Sequence, residues 1–280
     1  MEDFIVLTLG HAQTHHLWQC EDISSPFLRL FYVKSGRAVI HLPDGDVEVT
    51  PDHLYLFSAY EPHAYECEPG FDFYYLFIFQ RKQEQLGFFD RYEFPREVKA
   101  NQAARLLFEN YCHLYPQLHL PSRTAEAFLN HQAYREYAQA FMKMQPYERM
   151  QLHGLVEILL SYFVKHARER FQSHDDRLAL LLDYVQQHLG QPISVDELAD
   201  RACLTKSYLI RRFREAMGVT PIQYVLTKKV QRAQTLLLES QLNVSQIAAE
   251  VGFSDPAYFI RLFKRHIGFT PQEYRQCLIG

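Results

Sequence analysis

The stretch Tyr208-Leu209-Ile210-Arg211-Arg212-Phe213, followed by Gly218-Val219-Thr220-Pro221 and Tyr224, returns fifty residues later. The second copy reads Tyr258-Phe259-Ile260-Arg261-Leu262-Phe263, Gly268-Phe269-Thr270-Pro271 and Tyr274. Its first tyrosine, isoleucine, first arginine, phenylalanine at the sixth place, glycine, threonine, proline and closing tyrosine are identical to those of the first copy. Just upstream, Val195–Leu204 resembles Val244–Phe253 at an offset of 49, so the second copy carries one extra turn residue. Self-similarity of this kind marks a duplicated supersecondary unit.

Each copy reads helix, short turn, helix. Ser194 with Glu197 three residues on forms a capping-box pattern, and Asn243 with Gln246 a looser one. Leu198-Ala199 and Ile247-Ala248 supply the buried face of the first helix. The turns are Cys203-Leu204-Thr205 and Gly252-Phe253-Ser254; Gly252 suits a left-handed backbone, whereas Cys203 does not obviously do so. The second helices start near Thr205 and Asp255, with Pro256 at a first helical position, and stop at Gly218 and Gly268. Thr220-Pro221 and Thr270-Pro271 then open the next helices. Between the units, Pro221–Leu238 is expected as one helix, with Ile222, Leu226, Val230, Ala233 and Leu237 along one stripe. At 1.5 Å per residue it spans on the order of 27 Å, so two reading heads tied by it would meet successive major grooves, about 34 Å apart.

In a helix-turn-helix unit the second helix enters the major groove and its first two turns meet base edges. Leu209 and Phe213, and Phe259 and Phe263, fix the inner face; Arg211 and Arg261 then project outward at matching places. Arginine reads guanine through paired hydrogen bonds to O6 and N7. Arg212, Arg214, Lys264 and Arg265 follow and suit phosphates, although a solvated helix face is the plainer reading for Arg214 and Arg265. Charge is divided accordingly. The whole chain of 280 residues carries −4, but from Arg177 onward 13 Lys and Arg face 9 Asp and Glu, against 16 and 24 before it. A basic part attached to an acidic part points to nucleic-acid contact by one domain only.

Residues 4–80 read as strands instead. Ala38, Ile40 and Leu42 alternate with Val39 and His41, and alternation recurs in Val47-Glu48-Val49 and in Phe71–Phe77. Lys34-Ser35-Gly36, Pro43-Asp44-Gly45-Asp46, Thr50-Pro51-Asp52 and Glu68-Pro69-Gly70 separate the runs as turns. Short strands at near-regular spacing suggest a small barrel or jelly roll. The 18 Tyr and 21 Phe imply an aromatic interior somewhere in the chain. From about Pro95 the period becomes helical. Leu152, Leu155, Val156, Leu159 and Phe163 form one stripe of a helix expected over Pro146–Arg170, and Thr124–Met142 forms a partner helix. Gln172–Asp176 reads as a polar linker. Five scattered Cys without a CxxC pair suit reduced thiols, and the apolar runs are too short to span a bilayer. With no basic, apolar leader at the N-terminus, a cytoplasmic location and no membrane partner are expected.

The repeated units resemble the DNA-binding domain of the AraC/XylS family. The resemblance covers about Arg177–Arg275 and is carried by Ile247-Ala248, Val251-Gly252-Phe253, Tyr258-Phe259, Arg261-Leu262-Phe263-Lys264, Gly268, Thr270-Pro271 and Tyr274-Arg275. It implies base-facing positions at Ser207, Ile210 and Arg211, and at Pro256, Ala257 and Arg261, with Arg212 and Lys264 beside them. The N-terminal half is similar, more loosely, to the cupin-type sensor barrel of sugar-responsive members, through Val33-Lys34-Ser35-Gly36-Arg37, Pro62-His63-Ala64-Tyr65 and Phe73–Phe79. Carried over by position, Lys34, Tyr65, Tyr75 and Phe77 line an effector pocket with His63 nearby and Trp18 capping it. Polar tips on aromatic walls would suit a sugar or another small polar metabolite. Plain core packing is the alternative for the aromatics, and a satisfied structural histidine for His63.

The resulting expectation is a multi-domain α and β chain. A cupin-like β-barrel occupies residues 1–94, a helical dimerisation segment 95–172, and an all-α domain with two helix-turn-helix units joined by a linker helix 173–280. The implied partners are double-stranded promoter DNA, a small effector, a second copy of the chain and RNA polymerase, with no cofactor and no metal. A cupin enzyme is the first alternative, but His41 is followed by Leu42-Pro43 in place of the second histidine of a metal pair. An effector-independent regulator whose barrel serves assembly, and a repressor in place of an activator, also remain open.

Overall fold

In a computed structural model, the protein is described over residues 4–276 apart from 24, 26, 44, 60, 62, 81–91, 121–130, 170–175 and 268. Asp44, Pro62, Gly268, the start of the helix expected from Thr124 and most of the linker at Gln172–Asp176 therefore lie outside the described residues. The chain divides into two compact units, residues 1–81 with 95–166, and residues 82–94 with 167–280.

The first unit is built on strands β1 (Phe4–Gln13), β2 (Trp18–Ile23), β3 (Leu28–Ser35), β4 (Ala38–Leu42), β5 (Gly45–Glu48), β6 (His53–Phe57), β7 (His63–Cys67) and β8 (Asp72–Gln80). After β9 (Tyr92–Glu93), which belongs to the second unit, β10 (Glu97–Lys99) adds an edge. They form an antiparallel five-stranded sheet in the order β1-β8-β3-β6-β10 and a four-stranded sheet in the order β2-β7-β4-β5. Burial follows the alternation in β4, where Ala38, Ile40 and Leu42 are buried and Val39 and His41 are not. In β8 it does not, because eight of nine residues are buried. A strand covered on both faces reads as a continuous apolar run. Phe73 and Phe77 meet Phe31 on one face, while Tyr74 stacks on Phe108 of helix α1 (Gln102–Leu114) on the other.

Asn101 caps α1 by accepting from the Ala104 amide at 3.1 Å. Helices α2 (His131–Lys143) and α3 (Pro146–Val164) follow. α3 ends earlier than the sequence suggests and buries Leu152, Leu155, Val156, Leu159 and Phe163 along the expected stripe. His153 ties it to the first strand by a 2.8 Å contact from Nε2 to the Phe4 carbonyl. Tyr147, Met150, Ile158 and Val164 are exposed on its opposite side.

The second unit pairs β9 with β11 (Arg168–Glu169) and then is helical: α4 (Asp176–Gln187), α5 (Val195–Arg201), α6 (Lys206–Met217), α7 (Pro221–Glu239), α8 (Val244–Glu250), α9 (Pro256–Ile267) and α10 (Pro271–Gln276). Leu182, Val185, Leu198, Leu209, Phe213 and Val225 belong to one core. Ile247, Val251, Phe259, Phe263 and Tyr274 are buried in the second repeat. The duplication is visible in the packing as well. Phe213 meets Tyr224 edge to face at 5.6 Å, and Phe263 meets Tyr274 in the same way at 5.5 Å.

Candidate nucleic-acid interface and N-terminal cavity

The helices α6 and α9 start on side-chain caps and lock one face into the protein. Thr205 accepts from the Tyr208 amide, and Asp255 accepts from the Ala257 amide at 2.8 Å. Gly218 closes α6 in the left-handed conformation, with φ of +72°. With Leu209 and Phe213, and Phe259 and Phe263, fully buried, the opposite face must point outward. Arg211 and Arg261 stand there with 66% and 67% of their side-chain surface exposed.

Ser207, Ala257 and Lys264 are exposed, while Ile210, Arg212 and Pro256 are half-buried. Arg212 is drawn along its own helix to Glu215 at 2.9 Å. The two arginines differ in their surroundings. Arg211 lies 5.2 Å from the centre of the Tyr208 ring and 4.0 Å from Glu215; Arg261 lies 4.0 Å from Asp255, the residue that caps its helix. Exposed pairs at such distances hold weakly and release to a stronger partner such as a phosphate or guanine edge. Tyr208 and Tyr258, exposed to 42% and 45% on these same helices, were not among the sequence-derived contacts. Their identity at matching places of the repeat was the available signal.

In the first unit, the two sheets enclose a narrow cavity with about 30 Å³ of free space. Trp18 and Tyr65 line it together with Phe31, Val33, Ile40 and Phe73. Tyr75 and Phe77 share the inner face of β8 but sit beyond the lining: Phe77 stacks on Phe27 at 5.2 Å, and the Tyr75 hydroxyl accepts from the Leu120 amide at 3.0 Å. Lys34 does not join them. One step out of phase with Val33, it reaches Asp72 at 3.0 Å, and Asp72 also receives His11. His63 borders the cavity through a hydrogen-bond chain. Buried Arg29 donates to the Tyr65 hydroxyl at 3.1 Å, Tyr65 donates to Nε2 of His63 at 2.7 Å, and Nδ1 of His63 donates to the Glu61 carbonyl at 2.7 Å. Burial first, and the Arg29 charge second, bring the His63 pKa down to about 4, so its ring is neutral at pH 7. Burial likewise raises the Tyr65 phenol. His41 lies on the outer face of β4 against Asp46 and does not converge with His63. Among the described residues no group of three His, Cys, Asp or Glu side chains is arranged to hold a metal ion.

Comparison with known proteins places the helical repeat. Residues 198–276 match a family model described as a helix-turn-helix domain. These residues form a helix-turn-helix domain. Over 98 residues the chain is 40% identical to a probable transcriptional regulator, LumQ, of Photobacterium leiognathi, covering 35% of this chain and 40% of LumQ. Over 121 residues it is 31% identical to the HTH-type transcriptional activator RhaS of Escherichia coli, covering 43% of this chain and 44% of RhaS. The chain thus spans about two fifths of the length of the curated relatives it matches. The crystal structure of ToxT from Vibrio cholerae O395 aligns along 100% of both chains with a TM-score of 0.53 at 12% identity, which shows a shared fold alone. The match to the helix-turn-helix domain includes α6, α7, α8 and α9 in full, and so both arginines and the linker helix between them. No helix among the described residues is long and apolar enough to cross a membrane.

Proposed function

We propose that this chain is a sequence-specific transcription regulator, acting as an activator, that grips promoter DNA with both helix-turn-helix units and answers to a small molecule held between its N-terminal sheets. The observation that carries the reading is the pair of exposed arginines, in register, on two capped helices whose inner faces are locked into the protein. Arg211 and Arg261 read guanine, with Ser207, Ile210, Pro256 and Ala257 offering short contacts to neighbouring bases. Arg212 and Lys264 hold phosphates and set affinity rather than sequence choice. As an activator the protein works through RNA polymerase. The exposed stripe of Tyr147, Met150, Ile158 and Val164 on α3 is its contact with a second copy.

The cavity changes the chemistry proposed for the effector. Its lining carries no charged side chain, and the hydroxyls of its two tyrosines are already engaged, Tyr55 with Thr50 and Glu97, and Tyr65 with Arg29 and His63. A sugar would leave its hydroxyls without partners there, at a cost of about 1–3 kcal/mol for each buried group. An effector with an apolar body fits the walls. The free space is that of about one water molecule, so entry must push the sheets apart. Binding favours the active arrangement to the extent that the ligand holds that state more tightly.

Selection of binding sites from a random duplex pool with the full chain tests the DNA-reading function. The expected outcome is one enriched sequence with two boxes a helical turn apart, and an Arg211→Ala chain that loses preference at a single position. Recovery of unenriched DNA would refute the reading. A thermal-shift panel of aromatic and aliphatic compounds beside sugars tests the effector. Stabilisation by an apolar member, absent in Ala38→Phe, supports the cavity; a response to sugars alone refutes it. Silence throughout, with DNA binding intact, favours a regulator without an effector.

A further inference from the structure

The linker helix α7 carries a lysine, Lys229, that is 97% buried, at 3% exposure. Its Nζ donates to the carbonyls of Leu189 at 3.0 Å and Gln191 at 2.7 Å, just beyond the end of α4. It also donates to Val251 at 2.8 Å, with Gly252 farther at 3.4 Å, where α8 ends. An ammonium has three protons, and three of these four carbonyls lie within 3.0 Å. α4 packs into the core of the first helix-turn-helix unit, and α8 is the first helix of the second.

The need for a cation here follows from helix chemistry. Carbonyls in the turn that follows a helix have no partner within it and lie at the negative end of its dipole. Two such ends meet at this point: a Cβ placed on Gly190 would stand 3.2 Å from the Glu250 carbonyl, and one on Gly252 would stand 2.8 Å from the Gln191 backbone. Without a buried donor the two ends would repel and leave carbonyls unsatisfied. The Phe253 ring, 5.3 Å from Nζ, closes the site from another side.

We infer that Lys229 is the positioning residue that fixes the two reading helices relative to one another, and thereby the spacing between the two DNA boxes that the chain accepts. This rests on the DNA-reading function proposed above. Arg211 and Arg261 touch bases; Lys229 touches none and acts through the backbone that carries each unit. Its removal should therefore relax spacing before it weakens either box.

The test uses the full chain and a two-box duplex selected from a random pool by the wild-type protein, with two base pairs inserted or removed between the boxes. Such a change rotates one box by roughly a fifth of a turn, and wild-type binding should fall at least about tenfold. Lys229→Met should bind the original duplex more weakly but lose less than about threefold on insertion, while its affinity for a duplex with one box stays within about twofold of wild type. Lys229→Gln, neutral but still a donor, gives a second reading if the methionine variant lacks the native circular dichroism. It should show the same loss of spacing preference to a smaller degree, and Lys229→Arg should restore much of it. Unchanged spacing preference in folded Lys229→Met or Lys229→Gln would overturn the inference, as would equal losses on one-box and two-box duplexes. Failure of the wild-type chain to select any two-box site would instead overturn the DNA-reading function, and the inference with it.

Discussion

Replacing Gly252 by alanine is the perturbation whose size the geometry defines best. Gly252 has φ of +74°, in the turn between α8 and α9. An L-residue pays about 1–2 kcal/mol for the left-handed region. The added methyl would stand 2.5 Å from Lys229 Nζ and 2.8 Å from both the nitrogen and oxygen of Gln191, closer than any of them tolerates. Lys229 must retreat, and each buried polar group left without its partner costs about 1–3 kcal/mol. Lower entropy of the unfolded chain returns about 0.4–1 kcal/mol. The net expectation is a loss of about 3 kcal/mol. Cys203→Ala is the internal control. Cys203 occupies the corresponding turn of the first repeat with φ of +52°, is exposed, and already bears a Cβ. Its replacement should change stability by no more than about 0.5 kcal/mol. Urea unfolding of the full chain, followed by helical circular dichroism, measures both. A loss below about 1 kcal/mol for Gly252→Ala, or equal effects of the two substitutions, would refute the crowding argument.

Three further outcomes are expected. His63 keeps its neutral form in the folded protein, with a pKa of about 4 against 6.5 when exposed. No penalty arises above pH 6.5; as pH falls toward 4 the unfolded chain takes a proton that the folded ring refuses, and stability drops by about 3 kcal/mol. Unfolding midpoints between pH 7 and 4 should show this slope, flattened in His63→Gln. Phe263→Ala removes a fully buried ring that packs edge to face on Tyr274, and should cost about 3–5 kcal/mol in denaturant titrations; a loss below about 1 kcal/mol would contradict that packing. Lys264→Ala should weaken binding evenly across DNA sequences and reduce the salt dependence of binding by about one unit of slope, whereas a change of preferred base would make Lys264 a base reader.

The helical repeat could be read in the chain because its signals are local. Caps at Ser194, Thr205, Thr220 and Asn243 and buried positions at 3.6-residue spacing coincide in sequence and structure. Identical residues at a fixed offset also marked which side chains do the same work twice. The cavity was harder to read. Period two in β8 assigns residues to two faces, but both faces are buried, so hydropathy could not say which one looked inward. The resemblance to sensor barrels puts Lys34 in the pocket, whereas alternation sets it on the face opposite Val33, where it meets Asp72. Lys229 gave no sign at all: within α7 it reads like Lys228 beside it, and only the meeting of two helix ends from distant parts of the chain gives it a purpose.

Strand β8 serves as a partition with a different tenant on each side. On one side Phe73 lines the cavity between the sheets, and on the other Tyr74 carries the helical layer. The pleat therefore offers an engineer two independent alphabets on one ribbon. Phe73 can be rewritten, with its neighbours across the cavity, to change the cavity's shape, while Tyr74 is kept to preserve the packing on Phe108.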